Sequence, residues 1–358
     1  MSREQIGLLG TLSLPWALKF LWAPAVDRTA SRRRWITGAQ LGIALTLAGM
    51  LVAGSGSGPL FFALVFILVA LSATQDIAVD AYTIEITDRS ELGPANGVRV
   101  TGYRIAMIVA GGALVAASAA LGWNTIFLVG AGLFLLLAAV TSRLPEQERA
   151  PAAHQPIIEP LRDLATRPAI AGLILFVLTF KLGDLALTPM VKPFWVDAGY
   201  SVQQIGWVQT TLGVGASIVG ALAGGAATRW LGTWRALWIL GLVQALSNLG
   251  YYGAAAAGAP VPLMYGAAVI EQFSGGLGTA AFLAFLMTLC ERRHAATQFA
   301  LLSALYRVAG IGAAAVSGFL AERFGYADYF LLTFCLALPG FVLLPMVGRS
   351  LRAQTVSA

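Results

Sequence analysis

Asp76 and Asp80 lie four residues apart in a long apolar run, so their carboxylates share one helix face. Gln75 stands beside them, and Glu85 lies nearer the end of the same run. Two like charges on adjacent turns resist joint ionisation, which suits a group that loads and releases a proton. The plain alternative is a pair of ion-pair anchors holding neighbouring helices. A second constellation, Phe180-Lys181-Leu182-Gly183-Asp184, puts a base and an acid three apart in another apolar run, where they either neutralise each other or meet a solute. Glu271-Gln272 opens a third, the glycine-rich Phe273-Ser274-Gly275-Gly276-Leu277-Gly278-Thr279. Arg104 and Arg307 are guanidinium groups at membrane depth that cannot shed their charge, so each needs a carboxylate, carbonyls or an anionic ligand. Gate or interdomain pairing, contact with an anionic solute, and snorkelling are the three readings. Asp27, next to Arg28, is expected to partner a helix N-terminus or Arg307 at such a gate.

These charges stand out because of what surrounds them. The 358 residues are 58% hydrophobic and 11% charged, with a mean hydropathy of +0.77, outside the range of soluble globular chains. The apolar residues fall in blocks of about 20, the length of a helix that crosses a hydrocarbon core. An outer-membrane barrel would instead alternate polarity over stretches of about 10 residues. A charge at the centre of such a span costs roughly 2.5 to 3.5 kcal/mol on insertion scales, so the buried charges need partners or a watery cavity.

The net charge of +6 has a topological origin. Of 23 Lys and Arg, 16 fall in alternate loops or the C-terminal tail, among them Arg28, Arg32, Arg33, Arg34, Arg229, Arg292 and Arg293. That asymmetry follows the positive-inside rule, places the C-terminus in the cytoplasm and removes the need for a nucleic-acid partner. Counting back through eleven spans puts Met1 outside. Cys290 and Cys335 lie in or at the ends of apolar runs, and His154 and His294 lack ligand-like spacing, so neither a disulfide framework nor a metal site is expected. The sparse His and Cys also argue against an intramembrane enzyme. No cleavable leader is expected, since the first apolar segment is interrupted by Pro15, Lys19 and Pro24.

The helices that must position these groups come in two copies. Tyr103-Arg104 recurs as Tyr306-Arg307 and Gly122-Trp123 as Gly325-Tyr326, both 203 residues on. Gln5-Ile6-Gly7 recurs as Gln204-Ile205-Gly206, and Arg28 and Arg34 as Arg229 and Arg235. Thr279 corresponds to Asp76, and Thr228 to Asp27, so charge on one side faces hydroxyl on the other. Spans are expected at 6–26, 35–53, 60–86, 97–120 and 123–142, then at 169–196, 205–229, 235–257, 261–290, 297–320 and 328–347. The long segment before Gln204 has no counterpart before Gln5, so the first copy is expected to lack its opening helix. The organisation is a bundle over 1–142, a proline-containing cytoplasmic linker over 143–168 with a short helix at 157–165, and a bundle over 169–358. Six spans per full half make the repeats parallel, the arrangement of major facilitator transporters. The fold class is an all-α integral membrane protein of that type, with 11 transmembrane helices of an expected 12.

Several segments together resemble the AmpG muropeptide permease family of the major facilitator superfamily. They are Leu18-Lys19-Phe20-Leu21-Trp22-Ala23-Pro24-Ala25-Val26-Asp27-Arg28, Ser72-Ala73-Thr74-Gln75-Asp76-Ile77 with Asp80, Gly102-Tyr103-Arg104, Phe180 to Asp184, and Glu271 to Phe282. Acetyl-CoA transporters are similar in the Lys-Phe-Leu-Trp and Gln-Asp elements. The superfamily's loop motif has glycine four residues before its Asp, where this chain has Ala23. The resemblance implies a bacterial inner-membrane protein that imports sugar-peptide anhydromuropeptides with protons. No cofactor beyond the proton gradient, a lipid bilayer environment and a monomeric state are expected with it. Asp76, Asp80, Gln75, Lys181, Asp184 and Glu271 are the expected sites of substrate or proton coupling, and Asp27, Arg28, Arg104 and Arg307 of the gate. The competing expectations are a carrier of another anion, such as acetyl-CoA or a drug, and a transport-inactive truncated product or sensor.

Overall fold

The computed structural model describes residues 14–29, 31–53, 58–146, 159–167 and 169–356. The repeat signature at Gln5-Ile6-Gly7, the start of the first expected span, His154 and much of the linker lie outside them. Every regular element among the described residues is helical.

The first half begins with α1 (Leu14–Leu18), a single 3-10 turn (Lys19–Leu21) and α2 (Ala23–Asp27). Pro24 explains the interruption: it lacks an amide proton and its ring opposes the carbonyl four residues earlier, so the α-helix cannot run on through this point. Then follow α3 (Arg32–Ala53), α4 (Pro59–Ile86), α5 (Leu92–Ile108), a π turn (Val109–Ala113) and α6 (Leu114–Thr141). The linker contributes α7 (Glu159–Ala165), within the segment expected to hold a short helix. The second half contains α8 (Ile170–Thr179), α9 (Leu182–Asp197), α10 (Val202–Ile205), α11 (Gly213–Leu231), α12 (Thr233–Ala256), α13 (Val261–Thr288) and α14 (Ala295–Val356).

Two of these helices turn back on themselves. Gly122 inside α6 has φ 75° and ψ 153°, and Gly325 inside α14 has φ 76° and ψ 163°. An L side chain at such a φ is strained, and glycine takes it freely. The same corner, 203 residues apart, is the sequence repeat written in backbone geometry. With these corners counted, the described residues make eleven helical passes. They include stretches such as the 28-residue Pro59–Ile86 and the 30-residue Val202–Leu231, long and apolar enough to cross a bilayer.

The compact units of the structure are not the two sequence halves. One unit comprises 1–86, 105–164 and 290–304, and the other 87–104, 165–289 and 305–358. Each half lends a helix start to the other's unit. In the second unit α5 lies so close to α11 that a Cβ built on Gly93 would stand 2.7 Å from the Gly225 carbonyl oxygen, and one on Gly225 2.7 Å from that of Gly93. Only a pair of glycines permits that backbone approach.

The second unit has an aromatic core in which Trp195, Tyr251 and Phe330 are fully enclosed. The α8 end is wedged in by rings: Phe180 stacks on Phe282 at 5.6 Å and meets Phe341 at 5.7 Å, and Phe176 meets Phe285 edge-on at 5.2 Å. Among the described residues the first half has no element matching α8 and α9. In the first unit α3 packs against both α4 and α6.

Candidate functional site

Each unit holds a lysine at a break in an apolar helix, beside acids that sequence analysis singled out. In the first unit Lys19 occupies the 3-10 turn between α1 and α2 and is 1% exposed. Its ammonium donates to Asp76 Oδ2 at 2.7 Å and stands 3.9 Å from Asp80 Oδ2. Asp80 is buried and Asp76 half-buried, one turn apart on α4. The Trp22 indole donates to Thr74 at 3.1 Å, tying the break to α4. Gln75 lies beside Asp76 on the same helix and makes no side-chain hydrogen bond among the described residues. Two carboxylates thus share one buried ammonium.

A second network in that unit is built on Asp27, at the end of α2. Its Oδ2 accepts from the Thr297 amide at 2.8 Å and the Thr297 hydroxyl at 2.6 Å, and its Oδ1 from the Ala296 amide at 3.1 Å. Those amides open α14, where the helix dipole favours a negative charge. Of the two partners expected from sequence, Asp27 therefore engages a helix N-terminus. Arg32 completes the network with 2.8 Å to Asp27 and 3.0 Å to Glu85, all three side chains being at most 10% exposed. Arg28 follows Asp27 directly and closes α2 through its amide to the Pro24 carbonyl at 3.1 Å.

The repeat partner of Asp27 behaves differently, as its side chain requires. Thr228 donates to its own helix at the Gly224 carbonyl, 2.7 Å away. It meets α5 at Gly93, where a built Cβ would stand 2.7 Å from the threonine Cβ. The charge in this neighbourhood sits outside, in a half-exposed Arg229–Glu91 pair at 3.0 Å. One junction between halves is held by a buried carboxylate, the other by glycine packing.

In the second unit Lys181 stands between α8 and α9, 2% exposed. Its ammonium donates to Gln244 Oε1 at 2.6 Å and Thr279 Oγ1 at 3.2 Å, and pairs with Asp184 at 3.2 Å. Gln244 in turn donates to Asp184. Lys181 thus meets Thr279, the repeat equivalent of the Asp76 that holds Lys19. Glu271, on α13, is buried and lies within electrostatic reach of Asp184, Lys181 and Arg104. Tyr306 packs its ring on Phe282 at 5.4 Å and lies within reach of Asp184, Arg307 and Arg104. Arg104 is half-buried, whereas Arg307 is exposed. Both arginines belong to this unit, with the Lys181 group.

Outside the helical passes, Asp163, Glu291 and His294 bring one ligand atom each within 4.8 Å of one another, a grouping that sequence spacing does not suggest. Arg293 already pairs with Asp163 at 2.9 Å and with Glu291 at 2.8 Å. The guanidinium thus balances charge that a cation would have to compete for. Near α6, the Ser31 hydroxyl, Arg33 and Arg34 hold the Glu146 carboxyl below the usual carboxylate range, against a smaller opposing effect of burial.

Three participants escape the sequence reading. Lys19 reads there as an interruption of an apolar segment and a member of a family motif, with no role given to it, although its cost at that depth was the available signal. Arg32 counts as one of four loop bases, yet it is buried. Gln244 lies in an apolar span with nothing in its spacing to mark it, and only the fold brings it to Lys181.

Residues 1–257 match the model of the Major Facilitator Superfamily. The chain is 34% identical over 366 residues to the anhydromuropeptide permease of Escherichia coli K12, covering 99% of this chain and 74% of that one. It is 33% identical to an uncharacterized protein of Haemophilus influenzae, over 96% of this chain and 86% of the relative. A putative transporter AmpG 4 of Rickettsia conorii is 29% identical, with 92% and 85% covered. Among solved structures, the fold is similar to that of the human organic anion transporter MFSD10, with TM-score 0.73, 18% identity, and 94% and 83% of the two chains covered. It is also similar to the proton:xylose symporter XylE, with TM-score 0.71, 13% identity, and 98% and 87% covered. Paired charges at helix breaks, a parallel helical repeat and these relatives lead to one conclusion: the chain is a multi-pass membrane transporter, not an enzyme, and belongs to the AmpG family of the Major Facilitator Superfamily.

Proposed function

We propose that the protein imports anhydromuropeptides, GlcNAc-anhydroMurNAc-peptides, into the bacterial cytoplasm with protons, from an inner-membrane position with its C-terminus inside. The observation that carries the solute assignment is the likeness to a named anhydromuropeptide permease along almost the whole chain. The proton assignment is supported by the Lys19 group. Protonation of Asp76 or Asp80 weakens that acid's hold on Lys19, so loading and unloading a proton changes which partners the ammonium holds. Gln75 lies where it can follow that change. Lys181, Asp184 and Glu271 couple to the solute in the second unit. Asp27, with Arg28 and Arg32, forms the cytoplasmic gate, since its grip on the start of α14 joins one half of the chain to the other.

Proteoliposomes loaded with the purified protein and given an inward proton gradient test this. Labelled anhydromuropeptide is expected to accumulate, a protonophore to abolish accumulation, and Asp76→Asn to reduce it at least tenfold. No uptake, uptake indifferent to the protonophore, or uptake competed only by acetyl-CoA would overturn the reading.

A further inference from the structure

Arg34, Gly38, Leu41 and Leu45 follow one another by four, three and four residues along α3, so they share one face. That face is exposed: the Arg34 side chain is 83% exposed, Leu45 75% and, further along, Val52 84%. Leucines left exposed on a helix long and apolar enough to span a bilayer face hydrocarbon, not water. At the basic end of this face the surface is hollowed by a cavity of about 400 Å³, whose lining includes Thr29, Ser31, Arg34, Trp35, Gly38 and, from α4, Leu71. A Cβ built on Gly38 meets nothing within 4 Å, so the opening there is a gap and not a packed contact. One turn on, the Leu71 side chain closes the groove, 2.9 Å from a Cβ built on Gly42.

The polar groups at the mouth are bonded within the first unit, with one exception. The Trp35 indole donates to Thr29 at 2.6 Å, and the Thr29 hydroxyl donates to the Val26 carbonyl at 2.9 Å. Ser31 accepts from the Arg34 amide at 3.1 Å. Arg32 is held by Asp27 and Glu85, and Arg33 by Glu146. The Arg34 side chain makes no hydrogen bond among the described residues, and its Nε stands 4.0 Å from the Glu146 carboxylate that Arg33 already holds.

We propose that this groove binds one anionic phospholipid, with its phosphate on the Arg34 guanidinium and an acyl chain lying across Gly38 toward Leu41 and Leu45. A guanidinium keeps its charge and presents donors in a planar fork that matches a phosphate. Trp35 stands between the charged mouth and the apolar run, the level at which tryptophan collects in membrane proteins. On the orientation proposed above this is the cytoplasmic leaflet, whose anionic lipids attract basic side chains at the surface. An inorganic anion would meet the fork but leave the apolar part of the groove unfilled, so the groove favours the lipid. The assignment does not depend on which solute is carried.

Native mass spectrometry of the full chain, equilibrated in detergent with phosphatidylglycerol or with phosphatidylcholine of the same acyl chains, reads the lipid retained. Wild type is expected to keep one phosphatidylglycerol and to prefer it about fivefold, the contribution of one arginine beside an anionic lipid. Arg34→Gln should lose that preference. Gly38→Leu, which fills the opening from a Cβ with no neighbour, should lower retention of both lipids. Arg229→Gln, at another exposed base, is the control and should behave as wild type. Equal retention of the two lipids by wild type, or a preference that survives Arg34→Gln, would overturn the proposal. So would unchanged retention in Gly38→Leu, or displacement of the lipid by inorganic phosphate, which would leave a plain anion contact. If wild type keeps neither lipid, another occupant covers the groove and the proposal fails. Should Arg34→Gln not fold, Gly38→Leu decides alone.

Discussion

Asp27 accepts the backbone amide of Thr297 at 2.8 Å, across 270 residues of sequence. That bond, with those to Ala296 and the Thr297 hydroxyl, makes a side chain of α2 the cap of α14. Asp27→Ala leaves two buried amides and the Arg32 guanidinium without this acceptor. The lost cap, with Glu85 still holding Arg32, is expected to cost about 1–2 kcal/mol. Asp27→Asn retains an acceptor oxygen and should cost less. Thermal unfolding gives the ranking, and hydrogen exchange should rise first at 295–298. Unchanged exchange there would show that the cap is dispensable.

Lys19 is enclosed with two carboxylates, so removing it takes a buried partner from both acids. Breaking a buried pair from one side typically costs about 3–5 kcal/mol. Lys19→Met is expected to destabilise by that order, and Lys19→Met/Asp76→Asn by less, since one of the two acids that lost Lys19 is then neutral. Both variants should lose proton-driven uptake. A double variant as unstable as the single one would mean that packing, not charge, holds Lys19 in place.

The Gly93–Gly225 approach has no room for a methyl group, because the nearest atoms are backbone and cannot rotate away. Overpacking of this kind costs about 1–3 kcal/mol. Gly225→Ala is therefore expected to lower the unfolding temperature, and Gly225→Leu to lower it further. Gly102, with nothing within 4 Å of a built Cβ, is the control, and Gly102→Ala should change stability little.

Glu146 gives a pH dependence of definite sign. Its folded pKa is lowered, first by the Ser31 hydroxyl and then by Arg33 and Arg34. The stabilisation is present above the unfolded carboxylate value and is lost as pH falls through the lower folded one. Hydrogen exchange at 142–146 should rise as the medium is acidified over that interval. Glu146→Gln should flatten the response, whereas a response surviving the substitution would assign it to another group.

How far the sequence could be read depended on the range of the interaction. The corner glycines Gly122 and Gly325 were legible as a repeat because a positive φ is a demand of one residue on its own backbone. The i, i+4 placement of Asp76 and Asp80 was legible for a similar reason, since helical spacing alone sets it. Lys19 and Arg32 were not, because one resembles a flaw in an apolar segment and the other a loop base until the acids that hold them are in place. The repeat was also no guide to the compact units: α5 and the start of α14 each pack with the other half, which internal similarity does not encode.

The sequence by itself determined that this chain is a stack of apolar helices in two parallel copies, with few charges and those at specific depths. Apolar runs of that length must satisfy their backbone hydrogen bonds within the helix, so local composition suffices. Only the tertiary structure decided which charge meets which. Lys19 reaches Asp76 across 57 residues and Asp27 reaches Thr297 across 270. At such separations the partner is chosen by how helices pack and by the cost of leaving a buried charge unpaired, neither of which is a property of the local sequence.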